Sequence, residues 1–227
     1  MTTPPVAHVT PGGPALRLDV GGLVLHKQSV SAMDNSCYVL TAPDGAQLLV
    51  DAADDAPRLL ALLAQARGEA DGARLTVVTT HSHWDHHRAL PDVVAATGAL
   101  VLAGADDADA LPVPVDVRLA HGDRVPLGEH VLDVVALRGH TPGSVALAWA
   151  ESGTHAGRVH LFTGDSLFPG GPGKTPDAAA FASLMDDLEE RVFARYPDGT
   201  VVHPGHGDAT TLGAERPHLA EWRARGW

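Results

Sequence analysis

Cysteine is nearly absent: Cys37 is the one thiol in 227 residues, so no intrachain disulfide can form. That excludes a disulfide-stapled extracellular scaffold and fits a reducing cytoplasm. Positive charge is scarce too, with 16 Lys and Arg against 28 Asp and Glu, a net charge of −12, and no basic run or stripe. Nucleic acid and anionic membrane are thereby excluded as expected partners. No apolar stretch approaches the ~18 residues of a spanning helix. Met1-Thr2-Thr3-Pro4-Pro5 offers neither the basic nor the apolar segment of an export signal. The expectation is a soluble, cytoplasmic protein acting on a small molecule. Lysines and aromatics are few while Ala, Gly, Asp and Arg are many, a codon bias that carries no functional message.

What is present is enough apolar residue, 44% of the chain, for one substantial core. A single domain over residues 1–227 is expected, in two halves of roughly 1–115 and 116–227. After a Pro/Gly-rich arm ending near Pro14, apolar or alternating stretches predict strands at Ala15–Val20, Leu23–Leu25, Ser36–Thr41 and Gln47–Asp51. Pro57–Arg67 has helical spacing, with Asp54 or Asp55 as N-cap. Leu75–Thr80 is a strand, Arg88–Thr97 a short helix interrupted by Pro91, and Ala99–Ala103 another strand. The acidic, Pro-containing stretch Gly104–Pro114 predicts a surface connector between the halves. Strands then follow at Val131–Leu137, Ser144–Ala150, Val159–Phe162 and Val201–Val202, with helices at Phe181–Phe193 and Gly213–Arg225.

Fourteen histidines need an explanation, and seven of the positions that supply it lie where strands end. The densest stretch is His81-Ser82-His83-Trp84-Asp85-His86-His87. Imidazoles and a carboxylate are costly to bury together unless a divalent cation supplies the missing positive charge. In an extended backbone His81 and His83 face the same side and can grip one ion, while Asp85 and His86 can reach a second. Four further strand ends carry one such side chain each: Asp51, His140 in Gly139-His140-Thr141-Pro142-Gly143, Asp165 in Thr163-Gly164-Asp165-Ser166, and His206 in Gly205-His206-Gly207. The glycines let the backbone turn sharply beside the ion. Two cations roughly 3.5–4 Å apart can share a water and lower its pKa from 15.7 toward ~7, so the nucleophile would be hydroxide and not a side chain.

In this order the residues His81, His83, Asp85, His86, His140, Asp165 and His206 resemble the signature of the metallo-β-lactamase superfamily, and most of all its glyoxalase II-like hydrolases. The resemblance covers roughly Asn35 to Trp227. It implies an α/β fold, a four-layer αββα sandwich of two mixed sheets packed face to face with helices outside. It further implies one ion on His81, His83 and His140 and a second on Asp85, His86 and His206, with Asp165 bridging and Asp51 supporting a ligand N–H from below. Asp51 could otherwise cap the following helix. Two divalent ions, zinc before iron or manganese, follow from His and Asp donors. The implied activity is a metal-dependent hydrolase whose metal-bridging hydroxide cleaves an ester, thioester or related carbonyl bond, with Asp85 orienting the hydroxide or relaying a proton. The alternative is a mononuclear iron oxidoreductase resembling the persulfide dioxygenases of this fold.

Other residues are weighed against that pattern. His87 falls outside the spacing, and His203 yields to His206, because the family histidine is flanked by glycines. His8, His26, His121, His130, His155, His160 and His218 lack evident partners in the sequence. Gly170-Gly171-Pro172-Gly173-Lys174-Thr175 imitates a phosphate loop, but the position needing its first glycine is Phe168. The segment resembles instead the glyoxalase II loop after the bridging acid, which makes Lys174 a candidate for binding an anionic group of the substrate. Trp84 could wall the substrate pocket.

Overall fold

The structure is a computed structural model that describes residues 8–68, 74–153 and 156–226. The expectations placed on Met1–Pro5 and His155 fall outside the described residues. The first sheet contains β1 (Leu16–Val20), β2 (Leu23–Val30), β3 (Asn35–Thr41), β4 (Gln47–Val50), β5 (Leu75–Thr79), β6 (Leu100–Gly104) and β7 (Val117–Leu119), in that spatial order. The first four strands form an antiparallel meander, and β4 through β7 are parallel. Parallel neighbours need a long crossover, which α1 (Ala56–Arg67) and α2 (Leu90–Thr97) supply. The second sheet contains β8 (Arg124–Leu127), β9 (His130–Ala136), β10 (Val145–Ala150) and β11 (Val159–Gly164). A small hairpin of β12 (Leu167–Phe168) and β13 (Gly171–Pro172) follows. The second sheet is completed by β14 (Val201–Pro204), parallel to β11, and β15 (Thr210–Thr211).

Alternation within the strands decides the layers. In β3, Tyr38 and Leu40 face the second sheet, where they meet Leu132, Leu147 and Phe162. Cys37 and Val39 face the other way, onto Leu59, Leu63 and Leu90 of α1 and α2. Beyond the second sheet, Leu161 and Val202 pack on Leu184 and Leu188 of the helical stretch that includes α3 (Ala178–Asp187). The result is four layers, helix on sheet on sheet on helix, as the αββα reading anticipated. Each sheet buries both faces, so a strand such as β10 reads as an unbroken apolar run.

Several boundaries differ from the sequence reading for identifiable reasons. β2 runs on to Val30 through His26, Lys27, Gln28 and Ser29, all buried, and the last three have partners: Gln28 donates to the Gly13 carbonyl, Lys27 to the Gly207 carbonyl and Ser29 to Asp34. Pro91 does not interrupt α2; it lies in its first turn, where its missing N–H costs nothing. Phe181–Phe193 is not one α-helix, since α3 gives way to a wider π-type stretch over Leu188–Phe193. Pro217 divides the closing helix into α4 (Leu212–Glu215) and α5 (Leu219–Arg225) around a 3-10 turn. β7 and β8, short and half polar, went unread. Among the described residues no helix is long and apolar enough to cross a membrane.

Strand directions place the chemistry on one edge. The carboxyl ends of β4, β5 and β6 point the same way, as do those of β9, β11 and β14. Asp51, the histidine stretch, His140, Asp165 and His206 each leave one of these ends.

Candidate metal centre

The structure brings all seven expected donors together. Three sets of donor atoms lie within 4.8 Å of one another: His81, His83, His140; His81, His86, Asp165; and Asp85, His86, His206. The first and last sets match the two ion sites implied by the resemblance. Asp165 stands between them, with Oδ2 3.7 Å from His140 Nε2 and 3.4 Å from His206 Nε2, and Oδ1 3.3 Å from His86 Nε2.

Hydrogen bonds to the far side of the rings fix which nitrogen faces inward. His86 Nδ1 donates to Asp51 Oδ2 at 2.9 Å, His140 Nδ1 to the Lys174 carbonyl at 2.6 Å, and His206 Nδ1 to the Met33 carbonyl at 2.8 Å. The Thr80 hydroxyl donates to Asp51 Oδ2 at 2.8 Å and therefore accepts from His81 Nδ1 at 3.0 Å. In its neutral form each of these four rings thus turns an Nε2 lone pair toward the others. His81 Nε2, His140 Nε2 and Asp165 Oδ1 are buried without a hydrogen-bond partner of good geometry, and His86 Nε2 faces His206 Nε2 at 3.1 Å. Lone pairs meeting lone pairs are repulsive unless something positive lies between them, so the donor set fits divalent cations.

The charges of the metal-free cluster are consistent with this. Burial drives the His81 imidazole well below its usual value, reinforced by His86. Burial also works against a proton on His86, but the Asp51 and Asp165 carboxylates outweigh it and push the group up to about 10. Asp165 is opposed by burial yet held well below the carboxylate range by hydrogen bonds from His206 and His86. Asp85, similarly disfavoured by burial, is kept ionised by the Asn35 amide and by His86.

Asp51 is 1% exposed and lies under the cluster, where it accepts from Thr80 N at 2.7 Å as well as from Thr80 Oγ1 and His86. The cap of α1 is Asp55, which accepts from Arg58 N, so the capping alternative for Asp51 is removed. Gly205 lets β14 approach: a Cβ there would sit 2.2 Å from Asp165 Oδ1 and 2.6 Å from His86 Cε1. Trp84 is 58% exposed beside the ligands, with the Arg88 guanidinium 4.6 Å over its ring. The Lys174 side chain is exposed, and its backbone carbonyl is what touches the site. His87 is buried and donates from Nε2 to the Ser82 carbonyl, outside the cluster.

His203 is equally remote from the cluster. It is buried against Phe162 and bonded to His160 Nδ1 at 2.9 Å, while His160 Nε2 reaches Glu151 at 2.8 Å. The expectation that His160 lacks a partner therefore fails, as it does for His8, bonded to Asp208, and His218, bonded to Glu221. Sequence reasoning also missed three supports. Asn35, fully buried, donates to Asp85 Oδ2 at 3.0 Å and to the Asp85 carbonyl at 3.1 Å. Thr80 couples Asp51 to His81. Asp107 sits in the stretch taken for a surface connector but is 2% exposed and bonded to both histidine loops. Asn, Thr and Asp in polar stretches are too common to carry a signal.

The family described as the metallo-beta-lactamase superfamily matches residues 31–206. Among curated proteins, the hydroxyacylglutathione hydrolase of Fuscovulum blasticum is 40% identical over 179 residues, covering 76% of this chain and 62% of that relative. The hydroxyacylglutathione hydrolase of Thermosynechococcus vestitus is 32% identical over 204 residues, covering 83% and 72%. The chain spans about 62% of the length of the first of these relatives. Among solved structures, TTHA1623, crystallised in a di-iron-bound form, is similar at 30% identity with a TM-score of 0.63 over 84% of this chain and 96% of that one. ETHE1 from Myxococcus xanthus is similar at 26% identity with a TM-score of 0.72 over 88% and 84%.

Proposed function

This chain belongs to the metallo-beta-lactamase superfamily, and from that premise we propose that it is a metal-dependent hydrolase of a small-molecule thioester. The observation that carries the reading is the convergence of Nε2 atoms whose Nδ1 partners are already committed. His81, His83 and His140 would hold one divalent cation and Asp85, His86 and His206 a second, with Asp165 shared. Zinc suits these donors best, iron and manganese accept them too, and the di-iron form of TTHA1623 supports a pair of ions. Bound at such a site, divalent cations bring the pKa of a water toward neutrality and polarise a carbonyl oxygen.

The chain's own residues supply the rest. Asn35 fixes Asp85 through Oδ2 and the backbone, leaving Oδ1 to orient the attacking water and take its proton. Asp51 and Thr80 hold His86 and His81 in the ligating tautomer. A thioester suits this equipment, because a thiolate with a conjugate-acid pKa near ~8.5 leaves without a dedicated general acid. Hydroxyacylglutathiones, the substrates named for the curated relatives, are the first compounds to test. In this reading Lys174 would meet an anionic group of the substrate at the rim and Trp84 would wall the pocket. A cytoplasmic setting fits the single, buried cysteine.

The test is a hydrolysis screen of thioesters, esters and lactones on metal-quantified protein, alongside Asp85→Ala. Thioester cleavage that chelation abolishes, and that Asp85→Ala removes while the fold persists, supports the reading. One iron per chain with oxygen uptake on a persulfide, and no hydrolysis, would overturn it in favour of the oxidoreductase.

A further inference from the structure

Asp107 is a buried carboxylate for which the hydrolysis requires no part, and every bond its side chain makes is to one of two loops. Oδ2 accepts from Ser82 N at 2.8 Å and from Thr141 Oγ1 at 2.5 Å, and Oδ1 accepts from Gly143 N at 2.8 Å. Ser82 lies between His81 and His83, and Thr141 directly follows His140. Ser144 closes the array, accepting from Thr141 N at 3.2 Å and donating to Thr141 Oγ1 at 2.6 Å. Gly143 belongs to the same contact, since a Cβ there would lie 2.4 Å from Asp107 N.

We propose that Asp107 is the positioning residue that sets the three-histidine half of the metal centre. His81 and His83 leave the first sheet after β5, and His140 leaves the second after β9. Their donor atoms converge only if the two loops keep a fixed separation, and one side chain bonds to both. Its hydrogen bonds are charge-assisted, which makes them short and directional. The other half of the centre has independent supports: Asn35 for Asp85, Asp51 for His86 and the Met33 carbonyl for His206. Removing the Asp107 carboxylate therefore acts on one ion site and spares the other. The inference rests on the metal-site assignment above and deepens it.

The experiment is equilibrium dialysis of metal-free protein against buffered Zn2+, and separately Co2+ with its absorption spectrum, for wild type, Asp107→Asn, Asp107→Ala and Thr141→Val. The Thr141 variant removes the hydroxyl's bonds to Asp107 and Ser144 while keeping the carboxylate, and keeps the test open should the Asp107 variants not fold. The expected result is two ions bound by wild type. In the variants, affinity should fall about 10–100-fold at one site, the usual effect of losing an outer support. Affinity at the second site stays unchanged, and the Co2+ bands of only one site are lost. Equal weakening of both sites, or no weakening of either in a folded variant, overturns the role of Asp107. A wild-type chain that binds no metal overturns this inference together with the metal-centre reading, whereas two-ion binding without thioester cleavage leaves Asp107 intact and removes only the hydrolase.

Discussion

Asp51→Asn tests how a side chain that touches no substrate controls the metal centre. Asparagine keeps the shape and tolerates the left-handed backbone of position 51, where φ is 58°. Its amide cannot, however, accept at both ends. With NH2 in place of Oδ2, the Thr80 hydroxyl can rotate to accept, but His86 must move its proton from Nδ1 to Nε2, and its lone pair then leaves the cluster. With the amide turned the other way, NH2 faces the Thr80 N–H, a buried donor that cannot adapt. That conflict costs about 1–3 kcal/mol. In a domain of this size each kcal/mol moves the Tm by roughly 2–4 °C, so the metal-free variant should melt roughly 2–12 °C lower. Metal affinity at the Asp85, His86, His206 site should fall about 10–100-fold. The assay pairs calorimetric melting with dialysis, and adds NMR titration of His86 in the metal-free protein. Asp51 leads the groups that raise this imidazole to about 10, so its neutralisation must lower the titration. Unchanged affinity with an unchanged His86 titration would refute the reasoning.

Three further outcomes are expected. Metal uptake at pH 8 should release protons into weak buffer, because His86, raised to about 10, holds a proton that a cation displaces. The stability His86 lends the metal-free chain is complete below about pH 6.5 and is lost as pH rises through about 10, so the Tm of metal-free protein should decline across that window. Gly205→Ala drives a Cβ into Asp165 and His86 and should abolish metal binding at both sites while circular dichroism stays native; retained binding would show that the edge can yield. Lys174→Ala should raise KM several-fold for an acidic substrate and leave kcat alone, and an unchanged KM would remove Lys174 from the site.

The seven donors were legible because their chemistry is specific: few arrangements of His and Asp at strand ends make sense without a cation. The four-layer fold became legible through the same residues, by resemblance, more than through the strands themselves. Strand detection failed where packing overrides polarity, as in Lys27–Ser29 of β2, whose polar side chains find partners that only the folded chain provides. Asp107 shows the same limit at the site. In an acidic stretch it reads as surface, and nothing local reveals that Ser82, Thr141 and Gly143 will converge on it. His160 and His203 likewise found each other across two parallel strands, a pairing that depends on register.

The division of donors between the sheets has a consequence for how the chain reaches its native state. His81, His83, Asp85 and His86 belong to the first sheet, and His140, Asp165 and His206 to the second, so neither carries a complete set. A cation gains its full coordination only after the two sheets have docked across Leu40, Leu147 and Phe162. Binding then favours the docked chain by mass action, about 2.7 kcal/mol at a free concentration one hundred times the Kd. Such an ion would act as a latch on the docked sheets. Metal supply would set how long the docked state persists, and chelation would hasten unfolding as well as stop turnover.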